Sequence, residues 1–388
     1  MIKRPFLILS FVTALLLVLA AGQIAPNKAA YGATEAATTS AMSATFAATD
    51  APTPVATEAA VDGQKPVLNV YNWTTYIAED TVSNFEKLYN VKVQYDTYGS
   101  NEELFAKLQA GNPGYDVVVP GDFNVQRMIK AGLLEDLDLK NLPNFTKNAG
   151  ARFKNPDYDP DNKHCVAYQW GTMGIAYNIK KVGHEITGWS DVWTPGHPMS
   201  LFNSNREMMA GLLIALGKDP NTTNRADLDA VKDYVLKHKD LITSFHDDDG
   251  QTKLARGEVD IVWEWSGDIF QVMADNPDIR YVIPSEGTMS FTDNLCIPKG
   301  AKNKALAEKF INYIYDAKVG ASISNFIGYG SPNQAAIDQG LINIDALTNP
   351  LIYPPAELVK KLHGILDIGD AQTMYDEVFA DIKAGVGQ

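Results

Sequence analysis

Two large aromatic side chains follow the first predicted strand of the chain's folded part. Residues 67–71 form that strand, and Trp73 and Tyr76 come directly after it. Loops at strand ends are where a rigid scaffold displays its binding groups. The flat faces of these rings can cover alkyl chains and attract ammonium groups. The two rings are therefore candidate binding residues, with the alternative that one ring closes the end of the sheet and only the other is exposed.

Other reactive residue types lack the spacing of a catalytic or metal site. Residues 246–250, His-Asp-Asp-Asp-Gly, suggest a calcium loop, but the preceding alternate positions and a later bidentate Glu do not fit. We predict an exposed loop there. His164 stands beside Cys165, but no acid follows in a pattern that would orient the histidine. No phosphate-binding or hydrolase motif is present, so we predict no catalytic residue, no metal and no cofactor.

The first 65 residues differ in composition from the rest of the chain. Residues 1–5 are basic, and residues 6–22 are apolar or small, which is typical of a secretory signal peptide. We predict a signal peptide at 1–25, with an uncleaved N-terminal anchor as the alternative. Residues 26–65 are rich in Ala, Thr, Ser, Glu and Pro. Because they have few large apolar side chains, we predict a disordered linker there.

The remaining chain, 66–388, is large enough for two lobes. It spans roughly 320 residues, more than one compact core usually supports. A charged content of 21% is ordinary for a soluble globular protein, and the net charge of −14 argues against nucleic acid as a partner. Cys165 and Cys296 stand in apolar segments. In an exported protein they could form a disulfide, and two buried free thiols are an equal alternative.

Strand and helix patterns alternate along this part of the chain. Ser100 and Glu103 have the spacing of a capping box at the start of a helix. Residues 115–120 form a continuous apolar run, typical of a strand covered on both faces. Further strand patterns occupy residues 171–178 and 259–263. Strands separated by helices in this way predict an α/β fold with parallel sheets.

Seven short stretches together resemble the polyamine-binding family of extracytoplasmic solute-binding proteins, which are components of ABC importers. The stretches occur in the family's order across nearly all of 66–388. They are residues 71–76 (YNWTTY), 97–102 (TYGSNE), 115–120 (YDVVVP), 170–172 (WGT), 257–259 (GEV), 293–298 (DNLCIP) and 327–333 (IGYGSPN).

The resemblance implies a two-lobed periplasmic-binding-protein fold of type II, with two hinge crossings between α/β lobes. It places the first lobe at 66–170 plus 293–337 and the second at 171–292 plus 338–388. It also implies a monomer outside the cytoplasm that captures putrescine or spermidine between its lobes. The implied partners are an ABC permease and its ATPase, to which the closed, loaded form delivers the ligand.

The resemblance also implies a set of ligand-binding residues. An aromatic wall would cover the methylene groups of the ligand, and acids would meet its ammonium groups. The alternatives for the acids are a strand-end role for Asp293, a solvated helix start for Glu207, and a turn or cap role for Asp122. The predicted residues are Trp73, Thr74, Tyr76, Asp122, Phe123, Glu207, Trp265, Phe291, Asp293 and Tyr329.

Three positions depart from the family pattern. Thr75 and Ser204 stand where acids often occur, and Ile365 lies near a position that is polar in spermidine binders. We therefore expect fewer carboxylates than in a spermidine site. A shorter diamine or another cationic or amphipathic solute stays open as the ligand. A second alternative is the same fold binding an iron chelate, a sugar or an amino-acid derivative. A third is an exported enzyme or adhesion module.

Overall fold

The computed structural model describes residues 65–388. The predicted signal peptide at 1–25 lies outside these residues, and so does the predicted linker at 26–65 apart from Lys65. In the part of the chain that is described, no helix has both the length and the apolar character needed to cross a membrane.

The described residues form ten strands. They are β1 (Val67–Trp73), β2 (Lys92–Tyr98), β3 (Val117–Val118), β4 (Cys165–Asn178), β5 (Met199–Phe202), β6 (Ile242–His246), β7 (Ile261–Trp265), β8 (Ile279–Val282), β9 (Thr288–Cys296) and β10 (Leu362–His363).

Fifteen α-helices accompany these strands within residues 65–388. They are α1 (Thr81–Tyr89), α2 (Asn101–Gln109), α3 (Asp122–Lys130), α4 (Pro143–Asn148), α5 (Ile179–Val182), α6 (Asn205–Ala215), α7 (Arg225–Lys237), α8 (Gly250–Arg256), α9 (Ser266–Asp275), α10 (Lys304–Ile314), α11 (Ala317–Ile327), α12 (Gln334–Asp338), α13 (Ile344–Thr348), α14 (Ala356–Val359) and α15 (Gln372–Val386).

The strands form one sheet with a parallel group toward each end. Their order is β2-β1-β3-β9-β4-β7-β5-β6, with β10 beside β9 and β8 beside β4. Strand β1 is parallel to β2 and β3, and β5 is parallel to β6 and β7. We call β1–β3 the first half of the sheet and β5–β7 the second half. The long strands β4 and β9 are antiparallel to each other and join the two halves.

Strand β4 changes its partner along its length. Its residues up to Thr172 pair with β9, and those from Met173 pair with β7 and β8. This change lies close to the predicted lobe boundary at 170/171. The lobe boundaries themselves remain a prediction.

Strands β3 and β5 in the interior of the sheet are buried on both faces, as continuous apolar runs indicate, whereas the outer strands β2 and β6 are partly exposed. All four residues of β5 are buried, and so are both residues of β3. Strand β3 is shorter than the apolar run at 115–120 that predicted it. Its register with β1 covers only Val117 and Val118, and Pro120 has no N–H with which to extend the ladder.

The two cysteines form a disulfide. Cys165 on β4 and Cys296 on β9 are direct partners in the antiparallel register, with their Cα atoms 4.5 Å apart, which is within the range for a disulfide. The alternative of two free thiols is therefore wrong. The bond fastens the two joining strands to each other at one end.

The helix α2 begins at a side-chain cap. The Ser100 side chain accepts a hydrogen bond from the Glu103 N–H at 3.2 Å, as predicted. The Glu103 carboxylate reaches back to the N–H of Gly99, one residue before the cap. We expect Ser100→Ala to lower the free energy of unfolding by about 1 kcal/mol, measured by urea denaturation. Ser100→Asn should retain most of the stability, and an unchanged midpoint in Ser100→Ala would contradict a capping role.

Candidate functional site

The candidate site lies where the parallel strands of both halves end. The carboxyl ends of parallel strands share one edge of a sheet, and ligands of open α/β sheets bind there. Here the segments after all six parallel strands contribute to one cavity. One residue from each, in the order β1, β2, β3, β5, β6 and β7, is Thr74, Asn101, Asp122, Glu207, Asp248 and Asp268.

All ten residues predicted from the sequence line this cavity, and their contact with a ligand remains a prediction. The space between the lining atoms, together with the solvent at the mouth of the cavity, is about 440 Å³. Five lining residues were not predicted. The complete lining is Trp73, Thr74, Tyr76, Asn101, Gly121, Asp122, Phe123, Glu207, Asp248, Trp265, Asp268, Met289, Phe291, Asp293 and Tyr329.

Four of the aromatic rings form a continuous wall. The ring centroids of Trp265 and Phe291 are 4.9 Å apart, those of Phe291 and Tyr329 are 6.0 Å apart, and those of Tyr329 and Tyr76 are 4.9 Å apart. These edge-to-face contacts fix the rings against one another. The wall therefore offers a rigid apolar surface to the methylene groups of a ligand.

Trp73 both closes the end of the first half and lines the cavity. Its indole N–H donates to the Val119 carbonyl at 2.9 Å, and its ring packs on Tyr98. Tyr76 also lines the cavity, and its backbone carbonyl accepts a hydrogen bond from the Tyr168 hydroxyl at 2.6 Å. Both rings are thus held by packing and hydrogen bonds; Trp73 does close the end of the sheet, but neither ring is exposed and both line the cavity.

Asp293 lies on β9 in the interior of the cavity. Its Oδ2 accepts a hydrogen bond from the Tyr76 hydroxyl at 2.7 Å. Burial, together with the charges of Asp122 and Asp268, raises the pKa of Asp293 to about 8. A carboxyl group with such a pKa is poorly solvated and gains from an added cation.

Asp122 and Glu207 lie in the first turns of α3 and α6. Both oxygens of Asp122 accept backbone N–H groups, from Phe123 and Thr292, and burial raises its pKa to about 7. Glu207 is only 2% exposed, so a solvated helix start is wrong. Its Oε1 accepts a hydrogen bond from Asn101, whereas its Oε2 is buried without a hydrogen-bond partner among the described residues. Burial, followed by the charge of Glu102, raises the pKa of Glu207 to about 8.

Two further carboxylates, Asp248 and Asp268, were missed by the sequence analysis. Asp268 stands in the first turn of α9 and accepts hydrogen bonds from Tyr329, Thr75 and Gln271. Asp248 lies in the segment 246–250, for which we predicted an exposed loop. That prediction is wrong for Asp248, which is half-buried and lines the cavity. The sequence does contain a signal for Asp268, because this acid lies three residues after the predicted site residue Trp265, at the start of a helix.

The three departures from the family pattern do not leave the cavity short of acids. Thr75 donates its hydroxyl to Asp268 at 3.1 Å, and Ser204 donates its hydroxyl to Glu102 at 3.3 Å. Ile365 is buried in the apolar core and does not line the cavity. Acids from other segments therefore contribute carboxylates to the cavity, and the comparison with a spermidine site remains a prediction.

The cavity lining carries five carboxylates and no Lys, Arg or His among the described residues. Three of the five, Asp122, Glu207 and Asp268, stand in the first turns of helices, where the helix dipole partly offsets their charge. Within residues 65–388, no cluster of His, Cys, Asp and Glu has the arrangement of a metal site. The cavity can therefore bind an elongated organic cation, with apolar walls along its length.

Comparison with known proteins is in accord with this fold. Residues 80–349 match the family described as bacterial extracellular solute-binding protein. The chain is 36% identical over 321 residues to the putrescine-binding periplasmic protein PotF of Escherichia coli, covering 77% of this chain and 86% of that protein. It is 35% identical over 340 residues to the putrescine-binding periplasmic protein SpuD of Pseudomonas aeruginosa, covering 82% and 92%.

A solved structure extends the likeness to three dimensions. A putative spermidine/putrescine ABC transporter protein from Listeria monocytogenes superposes with a TM-score of 0.77 at 31% identity, covering 82% of this chain and 98% of that chain. The predicted fold class, a two-lobed periplasmic-binding-protein fold, is confirmed. Both sequence relatives are named as putrescine-binding periplasmic proteins. The chain belongs to the bacterial extracellular solute-binding proteins.

Proposed function

We propose that this protein captures a polyamine, putrescine or spermidine, and delivers it to the permease of an ABC importer. The observation that carries the proposal is the cavity lining of five carboxylates and no basic side chain. Burying these acids together is costly unless cations accompany them. A polyamine brings a positive charge at each end, and its methylene chain matches the aromatic wall between the acids.

The order of contacts along the cavity supports an elongated ligand. Asp268 accepts from the Tyr329 hydroxyl, and the Tyr329 ring contacts Tyr76, whose hydroxyl donates to Asp293. Beyond Asp293, the Gly121 N–H donates a hydrogen bond to the Asn101 amide oxygen, and the Asn101 amide nitrogen donates to Glu207. Acids thus recur along one path through the cavity, with two aromatic rings between Asp268 and Asp293. This arrangement suits amines separated by alkyl segments.

Hydrogen bonds between the two halves support capture by closure. Asn101, after β2, donates to Glu207, after β5, at 3.2 Å. Thr75, after β1, donates to Asp268, after β7. The acids of the second half therefore meet donors of the first half at the cavity, so a ligand seated there contacts both halves. Closure around the ligand would give the permease a means to distinguish the loaded form.

The partners and the location follow from this role. The loaded protein would dock as a monomer on a permease that is driven by its ATPase. Residues 26–65 would act as a tether if the N-terminal segment is retained in the membrane, and as a free extension if it is removed.

The proposal is tested by calorimetric titration of the ligand-free protein with putrescine, cadaverine, spermidine and spermine. We expect a dissociation constant in the micromolar range or tighter for at least one of them, as needed for capture of a dilute solute. Butylamine and 4-aminobutyrate serve as controls, because the first lacks the second ammonium and the second carries a carboxylate that the cavity repels.

Both controls should bind at least tenfold more weakly than the preferred polyamine. Absence of heat with all four polyamines, from a folded sample freed of ligand, would contradict the proposed ligand. Equal binding of butylamine and putrescine would show that only one end of the cavity meets an ammonium.

A further inference from the structure

Asp248 connects the two halves of the sheet at the cavity. It lies between β6 and α8 in the second half, and its Oδ2 accepts a hydrogen bond from the Thr74 N–H at 3.0 Å. The Thr74 hydroxyl donates to the same oxygen. Thr74 follows β1 in the first half. One carboxylate oxygen of Asp248 is therefore fully engaged in holding the two halves together.

The other carboxylate oxygen of Asp248 is not engaged. Among residues 65–388, no hydrogen-bond donor is directed at its Oδ1, although Asp248 lines the cavity. In Asp268, by contrast, Oδ1 accepts from Thr75 and Gln271, and Oδ2 accepts from Tyr329. The protein thus satisfies Asp268 by its own donors and leaves one oxygen of Asp248 for a donor from outside.

The surroundings of Asp248 favour a cation as that donor. Burial, followed by the charges of Asp268 and Glu264, raises the pKa of Asp248. Two basic side chains close to Asp248 in sequence have other partners, since Lys253 pairs with Asp249 and the Nδ1 of His246 is hydrogen-bonded to Ser200. Bringing the halves together therefore sets Asp248 close to other acids without a compensating positive charge.

We propose that Asp248 couples ligand capture to closure, with Oδ2 held by Thr74 and Oδ1 receiving a primary ammonium of the ligand. The inference rests on the proposed function and deepens it. A primary ammonium has three N–H donors, so it can bond to Asp248 and still offer donors to further acceptors in the cavity. Without the ligand, closure brings negatively charged carboxylates close together. With the ligand, closure pairs these carboxylates with the ammonium. The ammonium at this end thus determines whether the closed form is stable.

Two substitutions separate the roles of the two oxygens. Asp248→Asn keeps an oxygen that can accept from Thr74 but removes the charge. Asp248→Ala removes both the contact with Thr74 and the charge. Asp249→Asn is the matched control, because it makes the same change one residue along, at an exposed side chain paired with Lys253.

The experiment is calorimetric titration of the full-length protein and its variants with the preferred diamine and with the monoamine of equal carbon number. We expect Asp248→Asn to raise the dissociation constant for the diamine by about tenfold. Asp248→Ala should raise it by at least as much, and Asp249→Asn should stay within twofold of the unaltered protein. The preference for the diamine over the monoamine should shrink in both Asp248 variants, which a purely structural role would not cause.

Three outcomes overturn the inference. If Asp248→Asn binds as the unaltered protein does while Asp248→Ala is weakened, the residue acts only through its contact with Thr74. If both variants bind normally, Asp248 has no role in capture. If the unaltered protein binds none of the four polyamines, the proposed function fails and the inference fails with it. In the first two outcomes, by contrast, the unaltered protein binds a polyamine and only the inference fails.

Discussion

We expect replacement of Asp293 by Asn to weaken binding of the proposed polyamine by about 1.5–3 kcal/mol, or roughly 10- to 150-fold in the dissociation constant. Asp293 is buried, and the protein donates to it through the Tyr76 hydroxyl. An ammonium of the ligand would supply the missing positive charge. Asparagine keeps the shape of the side chain and can still accept from Tyr76, so the change removes the charge and little else. The measurement is calorimetric titration with the preferred polyamine.

The stability of the ligand-free variant separates loss of a binding group from damage to the fold. Since burial raises the pKa of Asp293 to about 8, the neutral amide should leave the thermal midpoint at pH 8 unchanged or higher. Asp370→Asn is the control, because Asp370 is exposed and outside the cavity. Unchanged affinity in Asp293→Asn would remove Asp293 from the site, and a lower midpoint with lower affinity would indicate structural damage instead.

The acids that the sequence analysis found and those that it missed differ in how they are positioned. Asp293 begins one of the stretches that resemble the family, and Asp122 follows another shortly after its end. Local sequence is therefore sufficient to identify both residues. Asp248 stands in a polar loop that has the composition of an exposed segment. It reaches the cavity because β6 runs parallel to β5 at the edge of the sheet. That placement depends on tertiary structure and has no local signal.

The disulfide shows that local sequence patterns have the same limit for the fold as for the site. Apolar strands at both cysteines were predictable, as was the α/β class. The two cysteines are 131 positions apart in the sequence, and this separation does not indicate which residues of the two strands lie opposite each other. Only the antiparallel pairing of β4 with β9 sets Cys165 opposite Cys296. Local patterns therefore predict the elements, whereas the pairing of distant elements determines which side chains meet.

The same clustering of acids determines how binding depends on pH. In the ligand-free protein, the pKa is raised to about 7 for Asp122 and Asp268 and to about 8 for Asp293 and Glu207. At pH 6 these groups therefore hold protons. An ammonium favours the ionised carboxylate, so binding lowers these pKa values and releases protons.

We therefore expect polyamine binding to tighten as pH rises from 6 to 8, by up to about tenfold per pH unit for each proton released. The alkyl ammonium groups themselves stay charged over this range, by analogy with the lysine pKa of about 10.4. Above pH 8 the affinity should level off. The measurement is calorimetry at pH 6, 7 and 8, in two buffers of different ionisation enthalpy at each pH. Equal heats in the two buffers would mean that no proton is released and would contradict the prediction.

The stability of the ligand-free protein should change in the opposite direction over the same range. The unfolded chain ionises its carboxyl groups near pH 4, whereas the folded protein keeps protons on Asp293 and Glu207 to about pH 8. The unfolded state then binds fewer protons, so the free energy of unfolding falls as pH rises from about 5 to 8. Acids with a lowered pKa, such as Glu135 beside Lys299, titrate below this window.

Saturating polyamine should remove most of this decline, because it pairs the carboxylates that high pH would otherwise leave buried and unpaired. Thermal midpoints measured from pH 5 to 8 with and without ligand should therefore diverge as pH rises. Glu207→Gln and Asp293→Asn should each flatten the curve of the ligand-free protein, since each removes one of the groups whose pKa is raised to about 8. Parallel curves with and without ligand would mean that the cavity acids are not the groups that the ligand neutralises.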